Sequence, residues 1–318
     1  MRPCAPLEGR RQSSNWFRAE HCQHLVCGLR WRASKPCEGE PMTDCFQLAL
    51  HTWTIDTAPL DTALEATRQA GFAAIELRRS DFVHCLQKGA TRQSVIAGIQ
   101  ASGIKVGVLG TEYGWYFAKG EEQRRLFAVL RETCEIAVQL ECPTIMSAPG
   151  QSVGTLADAI AATRIAGDIV GEHGLRLALE FNSQHALVNS TAVLREIVAG
   201  SGHRNCGMLL DSYHLFRSGG VARGLHGVRQ EEIFAFQYSD VPPHPAQGVR
   251  RPIDRLPPGD GVLDWSELFG LLRDIGYRGY LSYEAPNPLL WARSPYEVAA
   301  EGYRKTRMLL DRNDGPPP

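Results

Sequence analysis

Four polar side chains interrupt short apolar runs in the second half of this 318-residue chain. They are Glu180 in Leu179-Glu180-Phe181-Asn182, Asp211 in Leu210-Asp211-Ser212-Tyr213-His214, Gln237 in Phe236-Gln237-Tyr238-Ser239-Asp240, and Glu284 in Ser282-Tyr283-Glu284-Ala285. A carboxylate buried alone is costly unless it is paired or coordinates a cation. One reading makes each of them a structural acid satisfied by an arginine or by backbone amides. Four in succession, with few Lys or Arg inside the same runs, favour a shared divalent ion instead. An all-oxygen donor set suits Mg²⁺, Mn²⁺ or Co²⁺, with Zn²⁺ less favoured.

Other residues near these runs have chemistry to offer. His214 follows Asp211 by three positions and titrates near neutrality, which suits an acid or base; the alternative is a helix-start histidine bonded to backbone. Arg255 lies in a Pro/Gly-rich loop after the seventh run, where its planar donor fork suits an oxyanion. Its alternative is a solvated loop arginine, with Arg250 and Arg251 close by. His51 and Trp53 follow the first run and Glu76 ends the second. We read His51 and Trp53 as walls of a substrate pocket, against simple packing. Trp115, Tyr116 and Phe117 read as core, with a lid or a dimer contact as the alternatives.

Such residues need a scaffold that gathers them. Eight short apolar runs recur mostly about every 30 residues: Phe46–Leu50, Ala73–Leu77, Ile104–Leu109, Thr144–Met146, Leu175–Phe181, Cys206–Leu210, Ile233–Tyr238 and Tyr280–Tyr283. Helical periodicity fills several gaps, as in Leu126, Leu130, Cys134 and Ala137, or Leu156, Ile160, Thr163 and Val170. Val193, Leu194, Ile197 and Val198 repeat it, and a last helix is expected from Tyr296 to Leu310. Gly71, Gly103, Gly174, Gly276 and Gly279 stand where helices should stop. Strand–helix alternation implies parallel βαβ units, and eight of them favour a closed (β/α)8 barrel over an open sheet. No Gly-x-Gly-x-x-Gly follows the first strand, which argues against dinucleotide binding. In such a barrel the chemistry belongs at the carboxyl ends of the strands.

Bulk properties narrow the partners. A hydrophobic fraction of 43% fits a buried core, and a formal charge of −1 gives no reason to expect nucleic acid. No apolar run approaches the ~20 residues of a membrane span, so a soluble, cytoplasmic protein is expected. Cys45, Cys85, Cys134, Cys142 and Cys206 sit mostly among apolar neighbours and read as buried thiols in a reducing compartment. Residues 1–41 carry six arginines, little periodicity and no apolar signal core. We expect them to be a disordered, functionally silent extension before a barrel at 42–312 and a flexible tail at 313–318. Cys4, Cys22, Cys27 and Cys37 lack two ligand-spaced pairs, which argues against a zinc site there.

The stretch from about 45 to 310 resembles the xylose isomerase-like barrel superfamily of sugar isomerases and epimerases. The resemblance is carried by Gly71-Phe72-Ala73-Ala74-Ile75-Glu76-Leu77, Leu179-Glu180, Leu210-Asp211-Ser212-Tyr213-His214 and Gln237-Tyr238-Ser239-Asp240-Val241-Pro242. It continues through Arg255-Leu256-Pro257-Pro258-Gly259-Asp260-Gly261 and, after Gly276-Tyr277-Arg278-Gly279-Tyr280, Glu284. It implies a metal held by Glu180, Asp211, Gln237 and Glu284, with Arg255 on substrate. Many relatives have histidine where Gln237 stands; the glutamine form is similar to hydroxypyruvate isomerases and some 3-dehydroshikimate dehydratases, and shifts the metal preference toward Mg²⁺ or Mn²⁺.

The implied reaction is isomerisation or epimerisation of a small polyhydroxylated carbonyl compound through a metal-stabilised enediolate, with Glu180 and Glu284 as the acid/base pair. Dehydration with His214 as base is the implied alternative. Apurinic-site nucleases share the barrel, but their histidine-rich zinc cluster and basic groove are missing here. A non-catalytic carbohydrate-binding barrel is a further rival. Superfamily members are often dimers or tetramers, so a homodimer or homotetramer is implied.

Overall fold

Parallel strands need long crossover connections, and a helix between each pair of short buried strands supplies them. The computed structural model, which describes residues 46–245 and 252–313, bears this out. Its strands are β1 (Gln47–His51), β2 (Ala74–Leu77), β3 (Lys105–Gly110), β4 (Thr144–Ser147), β5 (Arg176–Glu180), β6 (Cys206–Asp211), β7 (Ile233–Tyr238) and β8 (Tyr280–Tyr283). They close in chain order, β8 returning to pair with β1 through Gln47↔Tyr280 and Leu50↔Tyr283. Helices fill the connections, so the fold is the expected (β/α)8 barrel. The expectations for residues 1–41 and their cysteines, for Arg250 and Arg251, and for the tail after Asn313 fall outside the described residues.

The helices form where the apolar spacing placed them. Leu126, Leu130, Cys134 and Ala137 are buried along the helix Gly120–Gln139, and Thr163 and Val170 along Leu156–Glu172. Thr155 opens the latter with a capping box, its hydroxyl accepting from the Asp158 amide. The last helix runs Pro295–Asn313. Gly71 and Gly276 close their helices in the left-handed region, at φ 94° and 79°. Gly279 does not. A side chain there would lie 2.3 Å from the Tyr277 hydroxyl, so it is close approach, not a helix stop, that requires glycine.

Alternation along the strands sorts two layers. Val108, Met146, Ala178, Leu209 and Ala235 form an apolar cluster of their own, apart from the main core. Two residues further along three of these strands stand Glu180, Asp211 and Gln237. A strand repeats its facing every second residue, so these polar groups lie on the same side as the plug, one layer nearer the carboxyl ends. Among the described residues no helix is long and apolar enough to cross a membrane.

Candidate active site

The strand register brings three of the four expected ligands together. One carboxylate oxygen each from Glu180, Asp211 and Glu284 lie within 4.8 Å of one another, and all three residues are buried. Gln237 is fully buried on β7, in register with Asp211 of β6 and Ser282 of β8. Its Nε2 donates to Glu76 Oε1 at 2.9 Å, while its Oε1 has no partner. An orphaned amide oxygen in register with Asp211, with three buried carboxylates converging, fits a hard divalent cation, because each would otherwise be an uncompensated cost. Glu284 is fixed from the first βα turn: the Thr54 hydroxyl donates to the Tyr283 carbonyl (2.8 Å) and accepts from the Ala285 amide (2.9 Å).

Arg255 is not the solvated loop arginine of the alternative reading. It is 1% exposed, and its Nη1 lies 2.7 Å from Asp211 Oδ2 and 2.9 Å from Glu284 Oε2. Its guanidinium is therefore an internal counter-ion to the acids and also faces the Tyr213 ring. The loop is held there by Asp240, which the sequence reading gave no role. Asp240 Oδ1 accepts from the amides of Val241 and Leu263, and Oδ2 from the Gly259 amide and the Trp265 indole. Asp240→Asn replaces one acceptor oxygen by a donor and strands N–H groups, at about 1–3 kcal/mol each. We expect its melting temperature to fall by at least about 4 °C, while Asp260→Asn, on an exposed acid of the same loop, stays near wild type. Equal melts for Asp240→Asn and wild type would refute this.

The Ser183 amide favours one tautomer of His214. Its Nδ1 lies 3.2 Å from the Ser183 backbone N–H, which can only donate, so Nδ1 carries the lone pair. A neutral ring then has its hydrogen on Nε2, 3.6 Å from Glu180 Oε1. Arg255 Nη2, at 3.4 Å from the same Nε2, is also a donor, and we read that contact as a close approach. Burial, then the Arg255 charge, pushes the His214 pKa well down and keeps the ring neutral. His51 is arranged likewise: Nδ1 accepts from the Trp53 amide, and Nε2 lies 3.5 Å from Glu284 Oε1. Burial, with Arg78 and Arg255, pushes its pKa well down too.

The acids shift the other way. Burial, with repulsion from Glu284 and Asp211, raises Glu180 well above the usual carboxyl range. Burial pushes Glu284 up to about 7 against the pull of Arg255, and Glu76 to about 8. Without a cation the native state thus keeps protons that the unfolded chain releases above 4.5, so these groups lend stability at acid pH. That contribution is lost as pH rises through the window from 4.5 to about 8. The chelated protein is expected to melt progressively lower across that window, with a shallower slope in Glu284→Gln. Added divalent cation should cancel the slope. A slope unchanged by Glu284→Gln would show that these acids do not set it.

Glu180 and Glu284 of the cluster line a cavity of about 710 Å³, with His51, Trp53, Arg78, Tyr113, Asn182 and His214 among its walls. His51 and Trp53 thus stand where expected. Trp115, Tyr116 and Phe117 do not reach it; all are buried, with Trp115 stacked on Tyr116 and bonded to Ser147 Oγ. Tyr113 is the aromatic of that loop that faces the cavity, and its hydroxyl reaches Met146 Sδ at 3.2 Å. The sequence offered no signal for it beyond its neighbours. Glu76 did carry one, being an acid inside Ile75-Glu76-Leu77 like Glu180 in its own run.

Fold and site together define an α/β barrel with a buried acidic cluster at the carboxyl ends of its strands. The chain belongs to the xylose isomerase-like TIM barrel family, whose sequence profile matches residues 64–308. It is 24% identical over 262 residues to an inosose isomerase of Halalkalibacterium halodurans, covering 80% of this chain and 90% of that one. It is 25% identical over 265 residues to a 3-dehydroshikimate dehydratase of Pseudomonas aeruginosa, covering 80% of this chain but 40% of that longer protein. A crystal structure of the IOLI protein with a zinc atom superposes with a TM-score of 0.77 at 21% identity, covering 84% of this chain and 99% of that one.

Proposed function

We propose that this chain is a divalent-metal-dependent isomerase or epimerase of an uncharged keto-polyol. The observation that carries the reading is the convergence of Glu180, Asp211 and Glu284 oxygens within 4.8 Å, beside the unpartnered Gln237 Oε1. Glu180, Asp211, Gln237 and Glu284 would hold the cation, with Mn²⁺, Mg²⁺ or Co²⁺ suited to four oxygens and Zn²⁺ less so. Once bound, such a cation draws charge from a carbonyl and acidifies the adjacent carbon. Glu284, pushed up to about 7, and Glu180, raised well above the usual carboxyl range, would take a proton from that carbon and return one. Arg255 and the Nε2–H of His214 supply donors for substrate oxygens, and His51 and Trp53 wall the pocket.

The substrate's charge follows from the cations already present. Arg78 is paired with Asp56 and Asp81, Arg79 with Glu112 and Glu132, and Arg255 with Asp211 and Glu284. Of the three histidines that line the cavity, the buried His51 and His214 are held neutral. Among the described residues of the wall, no arginine is left without a carboxylate for an anionic substrate. This favours a neutral inosose or keto sugar over 3-dehydroshikimate, which bears a carboxylate. Dehydration with His214 as base, the reading suggested by the Pseudomonas relative, needs the lone pair on Nε2. That tautomer would exchange the Ser183 N–H bond for Nδ1–H donation to Ser183 Oγ, 3.0 Å away, and would let Nε2 accept from Arg255 Nη2 at 3.4 Å.

The test is to incubate the purified chain with each metal and with inososes, keto sugars, hydroxypyruvate and 3-dehydroshikimate in D₂O. Deuterium entry at the carbon beside the carbonyl, with isomer formation from a neutral substrate, is expected, and chelation should abolish both. Preferential formation of a conjugated product from 3-dehydroshikimate would establish the dehydratase, and nicking of abasic DNA would overturn both.

A further inference from the structure

We infer that Glu76 is a positioning residue of the metal site, fixing through one hydrogen bond which end of the Gln237 amide faces the cation. The inference rests on the metal-site reading above. A carboxylate presents oxygen whichever way it turns, whereas a glutamine amide has an oxygen at one end and only donors at the other. A half-turn of the amide would replace a ligand by two N–H groups aimed at a positive charge. A glutamine in this position therefore needs a partner that tells its two ends apart.

Glu76 meets that need. It lies on β2, 161 residues before Gln237, and both side chains are buried, at 1% and 0% exposure. Nε2 of Gln237 donates to Glu76 Oε1 at 2.9 Å. In the flipped amide the contact in which Nε2 now donates to Glu76 Oε1 would be lost, and the amide oxygen would turn toward the carboxyl. The present orientation leaves Gln237 Oε1 as the unpartnered end, with Glu180, Asp211 and Glu284 gathered in the same layer. Glu76 is not one of the converging carboxylates. It is anchored in turn by its place beside His51 in the β1–β2 register, with His51 Nε2 3.8 Å from its Oε1.

Outer partners of this kind commonly change metal affinity by about 10- to 100-fold when removed. Mn²⁺ alone is the probe, titrated into cation-free protein by calorimetry and by the loss of its free-ion EPR signal. Glu76→Gln can hydrogen-bond either end of the Gln237 amide, so it keeps a partner but loses the selection, and its affinity should also fall, by no more than that of Glu76→Leu. Glu76→Leu removes the acceptor and should weaken Mn²⁺ binding by about 10- to 100-fold, with circular dichroism unchanged. Glu76→Ala gives the same comparison if Glu76→Leu does not fold. Wild-type affinity in the folded Leu or Ala variant would overturn the inference. So would wild-type affinity in Glu76→Gln, whose amide cannot tell the two ends of Gln237 apart. Wild-type protein that binds no Mn²⁺ would sink the metal-site reading itself, a result distinct from either.

Discussion

Glu180→Gln and Glu284→Gln are each expected to cut turnover by about 10²- to 10⁴-fold, the usual scale of general acid–base help. Glutamine keeps the shape and one oxygen of either residue but cannot carry the proton, so a cation site should survive while the transfer fails. The two variants should also differ in kind. If one acid removes the proton and the other returns it, one variant loses deuterium exchange at the substrate carbon. The other retains exchange on one face while forming no isomer. Exchange and isomerisation followed together by NMR make the distinction. Near-normal turnover in both variants would remove these residues from the chemistry.

A second large effect is expected at Arg255. Its guanidinium is held between Asp211 and Glu284, fully buried, and its pKa is raised by the acids around it despite burial. Arg255→Met leaves those acids without their counter-ion, and breaking a buried pair in this way costs about 3–5 kcal/mol. For a domain of this size that corresponds to a fall of about 6–20 °C in melting temperature. The loss should be largest in chelator at alkaline pH, where the acids are most ionised, and a divalent cation should recover much of it. Equal melts for Arg255→Met and wild type in chelator would show that the arginine is no counter-ion.

The fold was largely legible because its signals are local and repeated. Each apolar run is short, each gap is long enough for a helix, and glycines such as Gly71 and Gly276 mark the stops. The convergence of Glu180, Asp211 and Glu284 was legible for the same reason, since strand periodicity leaves a polar residue near a barrel strand end few places to point. The remainder depends on partners far away in sequence. Gln237 was recognised as a candidate ligand, but its orientation is decided by Glu76 on the opposite half of the chain. Arg255 read equally well as a solvated side chain, because its burial follows from Asp240 collecting four N–H groups across the loop. Tyr113 and the Trp115-Tyr116-Phe117 run are aromatic alike, and only the path of the backbone decides which of them faces the cavity.

The hydroxyl of Thr54 touches the chain on either side of Glu284, so the first βα turn of the barrel completes what its last strand contributes. A nascent chain could display Glu180, Asp211 and Gln237 and still lack their fourth companion. That group arrives only when the two ends of the cylinder meet. Cation capture would then act as a latch on the final seam, and a chain ending before β8 would remain blind to manganese.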